Sequence, residues 1–199
     1  MFVQVIEGPV HDRNLLHRQL EEWNTRVRPG AVGFLGATAG VTADGDGILL
    51  ARFASEATAQ ANSDRPEQGV WWATTQGAFS GKVSFRNSAD TEAMFDFGTA
   101  CDNAGFVQVM QATVTDRVRL AALEDASLDA LKAMRPALIG ALRAWDGDQF
   151  TQAVYFTNEA DARRDEATGV PDAVAGAFVE WQKLCRDARF FDLTEPWLF

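Results

Sequence analysis

Two adjacent tryptophans, Trp71 and Trp72, are the residues best suited to holding a small molecule. Neighbours on a helix point about 100° apart. One of the pair can therefore face a core while the other lines a cavity, where a flat aromatic wall suits a planar ligand. An ordinary core or interface role for both is the competing reading. Gln4 and Gln108 each sit in the short motif Phe-Val-Gln-Val, on the strand face that carries Phe2 and Ile6 or Phe106 and Met110. An amide on an apolar face needs partners, so each could orient a ligand carbonyl or belong to a structural pair. His11 and His17 are the only histidines, and their spacing does not make the i, i+4 pair of a zinc protease. His17 could act as a general base or as an axial haem ligand, against a plain role at the surface boundary. Arg65 could hold an acidic ligand or make a surface ion pair. Asp44 and Asp46 faintly resemble a calcium loop, but a hairpin explains them fully. There is no Gly-rich phosphate loop, nucleophile elbow or Ser-His-Asp order. No catalytic residue and no metal site is assigned.

The bulk composition narrows the partners. A formal charge of −10 argues against a nucleic-acid backbone or an anionic membrane, since both need clustered Lys and Arg. The basic pair Arg163-Arg164 lies among Asp161, Asp165 and Glu166 and reads as a solvated helix face. No apolar run approaches the roughly 20 residues that span a bilayer. The chain opens directly on a strand with no basic segment before an apolar one, so no secretory signal is expected. Cys101 and Cys185 have no metal-ligand spacing, and a reducing cytoplasm is the natural setting. The 14 Phe and 6 Trp are ample for a real core.

The elements that position these residues come in two copies. Phe2-Val3-Gln4-Val5 returns as Phe106-Val107-Gln108-Val109, and Val10, Asp12 and Arg13 return as Val114, Asp116 and Arg117. Seven of the twelve positions from Phe2 to Arg13 are identical at an offset of 104 in a chain of 199 residues. In the first copy, Phe2 to Glu7 reads as a strand, and Asp12 caps a helix with Leu16, Leu20, Trp23 and Val27 on one stripe. Arg28-Pro29-Gly30 stops that helix. The apolar run Ala31 to Val41 carries glycines that mark a bulge or a close backbone approach. Asp44-Gly45-Asp46-Gly47 makes a hairpin into Ile48 to Phe53. Ser55 caps a short helix through Ala61, Pro66 opens another to about Phe79, and Lys82 to Arg86 is a fourth strand. The second copy repeats the order. It comprises Phe106 to Ala112, a helix capped by Asp116 with Leu120, Leu123, Leu131 and Met134, and Leu138 to Trp145. Gln149 to Phe156, a helix capped by Asn158, a helix opened by Pro171, and Arg189 to Leu193 follow.

Each copy is thus β-α-β-β-α-β, which predicts an α+β fold of two fused ferredoxin-like repeats, 1–87 and 105–199, joined by a linker at 88–104. Each repeat alone leaves one sheet face bare, so the two are expected to press those faces together as an intramolecular dimeric α+β barrel. The result would be a monomer with an internal pseudo-dimer, or a homodimer of such chains.

The duplicated pattern resembles the dimeric α+β barrel superfamily, and within it the antibiotic-biosynthesis-monooxygenase-like proteins. Phe2-Val3-Gln4-Val5, Gly33-Phe34-Leu35-Gly36 and Ser55-Glu56-Ala57 leading into Asn62-Ser63-Asp64-Arg65-Pro66-Glu67 carry the likeness, which is nearest to tandem-domain actinobacterial proteins. The resemblance implies a pocket between each sheet and its own helices. It also implies three possible functions. One is binding, and cofactor-free oxidation, of a hydrophobic aromatic compound. Another is non-catalytic binding or a structural role in the same fold, and the third is haem binding through His17. Aligned on Pro66 and Pro171, Trp71 and Trp72 meet Gly176 and Ala177, so the two pockets should differ in volume, with at most one functional.

Overall fold

A computed structural model describes residues 1–170 and 172–199. Pro171, expected to open the last helix, lies outside the described residues. The chain divides into two compact units, Met1–Thr91 with Glu195–Phe199, and Glu92–Thr194.

In the first unit, β1 (Phe2–Pro9) lies antiparallel between β3 (Asp46–Phe53) and β4 (Ser84–Ser88), and β2 (Phe34–Val41) pairs with the far side of β3. Helix α1 (Arg13–Glu22) starts where expected, with the Asp12 carboxylate accepting from the Leu15 N–H at 2.8 Å. It then widens into a π-helical turn at Trp23–Val27 before Arg28-Pro29-Gly30 tightens and ends it. The stripe Leu16, Leu20, Trp23 and Val27 is buried along its whole length. Helix α2 (Glu56–Ser63) opens on a reciprocal cap between Ser55 and Thr58. Helix α3 (Pro66–Thr75) begins on proline, where a missing N–H costs nothing, and closes in a 3-10 turn at Gln76–Ala78.

The second unit repeats the frame. β6 (Phe106–Val114) lies between β8 (Gln149–Phe156) and β9 (Cys185–Leu193), and β7 (Leu138–Asp146) pairs with β8. Helices α4 (Arg117–Met134), α5 (Glu159–Ala167) and α6 (Asp172–Leu184) complete it. The four core strands run β2-β3-β1-β4 in one unit and β7-β8-β6-β9 in the other, so the two ferredoxin-like repeats share one strand order.

Each sheet gains a fifth strand at the same edge. β10 (Trp197–Leu198) pairs with β2, and β5 (Thr91–Met94) pairs beside β7. The stretch read as a linker therefore contributes a strand, and the last five residues of the chain belong to the first sheet. The apolar residues Trp197 and Phe199 explain the second of these, since they pack with Leu16 and Trp23 in the first core. The bulge expected from the glycines is present in both copies, between Phe34 and Gly36 and between Leu138 and Gly140. A methyl group on Gly36, which has φ of 135°, would come within 2.8 Å of the Phe199 carbonyl; one on Gly140 would come within 2.7 Å of Cys101 Sγ. Only glycine lets the backbone come so close.

Candidate functional site

The layer between the first sheet and helices α1 and α3 contains a cavity. Trp71, one turn into α3, turns inward, and its indole N–H donates to the Gln19 carbonyl at 2.6 Å. Its ring stands edge-on to Trp23, which in turn donates to Gln68 at 2.6 Å. Trp72 points sideways, half-buried, with its ring 6.2 Å from Phe79 and 5.2 Å from Phe85. One indole therefore belongs to the core and its neighbour to the rim. The cavity wall includes Ile6, Leu16, Ala39, Leu49 and both tryptophans. No titratable side chain lines it, and the Thr75 hydroxyl in the wall donates to the Trp71 carbonyl at 2.8 Å. The space open to the centre of a water molecule is about 20 Å³, room for roughly one water. A ring system enters only if the rim side chains move.

The other candidates from the sequence do not converge on this cavity. Gln4 donates to Asn87 across the β1–β4 pair at 3.2 Å, and Gln108 donates to Asp192 across β6–β9 at 2.9 Å. They are the same cross-strand pair made twice. Asp192 also binds Arg163, whose guanidinium lies over the Phe106 ring. His17 is stacked on Trp197, centroids 4.6 Å apart, with its Nε2 3.8 Å from Glu21. Arg65 donates to the Val27 carbonyl at 2.9 Å and to Asn62 at 3.1 Å, with Glu67 at 3.8 Å, so it ties the start of α3 to the end of the π-helical turn. Gly30 leaves room for that guanidinium.

Against solved structures, the chain aligns over its full length with a candidate monooxygenase from Lactobacillus acidophilus, at a TM-score of 0.71 and 10% identity, covering 100% of this chain and 98% of that one. A candidate monooxygenase from Fusobacterium nucleatum aligns at 0.72 and 7% identity, over 99% and 93% of the two chains. The chain thus shares its fold with these two structures. An anthrone-oxidase-like protein aligns at 0.64 and 13% identity, over 99% and 93%. No protein-family model matches the sequence, and no curated protein is similar to it.

In this shared fold, the second repeat fills the matching layer with charge. Arg143 on β7 is 3% exposed. Its guanidinium makes a two-pronged contact with Glu124 of α4, at 2.9 and 2.6 Å, and reaches Glu92 of β5 at 3.3 Å. Its Nε donates to Gln152 of β8 at 2.8 Å, and the group lies 4.9 Å from the centre of the Phe150 ring and 5.3 Å from that of Trp145. Trp181 of α6 donates to Glu124 at 3.3 Å. Burial, with the Glu124 charge added, pushes the neighbouring Cys185 thiol up to about 11; Arg143 pulls the other way but does not win.

The two bulges align Ala39 with Arg143, and the shared Asp caps align Leu20 with Glu124. Phe53 pairs as Phe156 does, which sets Leu49 against Gln152. The bonds from His11 N to Ala78 O and from Thr115 N to Leu184 O set Ala78 against Leu184, an offset of 106. By that register Trp72 meets Phe178, Trp71 meets Ala177 and Thr75 meets Trp181, one residue from the alignment on the prolines. Sequence reasoning passed over this cluster. The signal was present: a lone arginine inside the apolar run Leu138 to Trp145, and Glu124 at Leu20's place in the repeat.

Proposed function

We propose that the first repeat binds a small hydrophobic aromatic compound between its sheet and helices α1 and α3, and that the protein oxidises it through the compound's own reaction with dioxygen. The observation that carries this reading is the apolar cavity walled by Trp71 and Trp72. The wall offers no acid or base, so the substrate must itself form a reactive anion readily. The wall's part is to orient it and to exclude water. A tricyclic ketone of the anthrone type has that chemistry: one oxygen atom of O₂ replaces the two hydrogens of the ring methylene opposite the ketone, giving the quinone, and the other leaves as water with those two hydrogens. The anthrone-oxidase-like neighbour makes anthrone the first compound to try. A cytoplasmic setting belongs to this reading, with both cysteines buried and neither in a disulfide.

The same lack of an acid–base group favours a second reading, binding without turnover. Oxygen uptake with anthrone, measured alongside quenching of tryptophan fluorescence, separates the two. Uptake that falls about tenfold or more in Trp72→Ala supports the oxygenase. Saturable quenching without uptake leaves only binding. The absence of both would defeat the two readings together.

A further inference from the structure

The second repeat carries a different site. We propose that Glu124 is a built-in stand-in for a ligand, and that Arg143 takes up the carboxylate of a small aromatic acid in exchange for it. Several observations lead there. Arg143, Glu124 and Gln152 occupy the places of Ala39, Leu20 and Leu49, all of which wall the first repeat's cavity. The pocket position is thus kept and its chemistry replaced. Arg143 is nine-tenths buried and more, and Glu124 meets it in the two-pronged geometry by which a guanidinium recognises any carboxylate.

Two carboxylates serve this one guanidinium. Glu92 contacts Arg143 at 3.3 Å independently of Glu124, so exchange of Glu124 need not leave the buried cation alone. The Glu124 side chain keeps 22% of its surface open, which gives it a route to water. Finally, Trp145, two residues along the same strand face, is buried with its indole N–H unpaired. A buried donor of this kind is unusual and suits a ligand acceptor not yet in place. The Arg143 cation lies over the rings of Trp145 and Phe150, and Trp181 reaches Glu124 beside it, so the surroundings suit an aromatic acid.

In the resting protein Glu124 competes for Arg143 as a tethered carboxylate, so free acids bind weakly. Removing the tethered group unmasks the site. Calorimetry of the full chain with benzoate tests this, with benzamide as the uncharged control. In Glu124→Ala, benzoate should bind one per chain and at least tenfold more tightly than to the unaltered protein, and benzamide should not bind. Adding Arg143→Met to Glu124→Ala should abolish binding, whereas Trp72→Ala in the first repeat should leave it unchanged. Glu124→Gln supplies the same test should Glu124→Ala lose its cooperative thermal transition. Benzoate bound no more tightly by the variants than by the unaltered protein, or benzamide bound as well as benzoate, overturns the proposal and leaves the pair a structural ion bridge.

Discussion

The same strand order and the same bulges hold opposite interiors in the two repeats. In the first, Leu20, Ala39, Leu49 and Thr75 leave an apolar gap of about one water beside two tryptophans. In the second, Glu124, Arg143, Gln152 and Trp181 close the layer with a buried ion pair. The frame is thus set by residues outside this layer: the Asp caps, the bulge glycines and the alternating Val and Phe of the strands. The residues between sheet and helices are free to diverge once the frame stands without them. One copy holds a hydrophobic pocket and the other a charged pair in the same frame.

The most disruptive way to test that contrast is to strip the charge from one side. Arg143→Ala leaves Glu124 and Glu92 facing each other without their cation, and should cost about 3–5 kcal/mol in urea or guanidinium unfolding. Replacing Arg143 and Glu124 together by leucine imports the chemistry of the first repeat, and most of that loss should return. A double variant as unstable as Arg143→Ala would mean that the charged pair also builds the frame.

A smaller effect lies in alkaline solution. The folded-state pKa of Cys185 is raised to about 11, above its unfolded value near 9. The neutral thiol is favoured in the fold, so the contribution is intact below about pH 9. It then declines by roughly 1 kcal/mol per pH unit until about pH 11, because the unfolded chain ionises first. Cys185→Ala should flatten that part of the stability profile. The first repeat has Phe79 at this place, from the matching bridges Val10 to Phe79 and Val114 to Cys185, so it should add no such slope.

The frame was readable in the sequence because it rests on local rules. Asp12, Ser55, Asp116 and Asn158 each cap the helix that follows them, and Gln149 to Phe156 forms a strand over that span. The repeat at an offset of 104 then supplied the order of both halves. The fifth strands were not readable. Two residues, Trp197 and Leu198, form no pattern of their own, and their pairing with β2 is settled by distant packing. The candidate sites were read less well, for a related reason. Trp71 and Trp72 stood out by type, and they do meet at the cavity. Arg143 and Glu124 are ordinary residue types whose significance depends on a contact between a strand and a helix 19 positions away. Arg65, which looked available for a ligand, is held by a carbonyl from 38 residues earlier.

The subtlest test concerns what the repeats share. Asp12 accepts from the Leu15 N–H at 2.8 Å, and Asp116 from the Arg119 N–H at 2.9 Å. The two caps are alike in geometry, so Asp12→Ala and Asp116→Ala should each cost about 1 kcal/mol. The helices they open differ, however. α1 buries its stripe through the π-helical turn, whereas α4 runs 18 residues with only Leu120 and Ser127 fully buried. A cap acts on the first turn, where Leu16 and Leu20 or Leu120 already meet the sheet. The later course of each helix should therefore not change the loss. Matched losses in thermal unfolding would place the divergence of the repeats inside the layer alone. A loss at Asp116 less than about half that at Asp12 would show that the charged interior has loosened the helix above it.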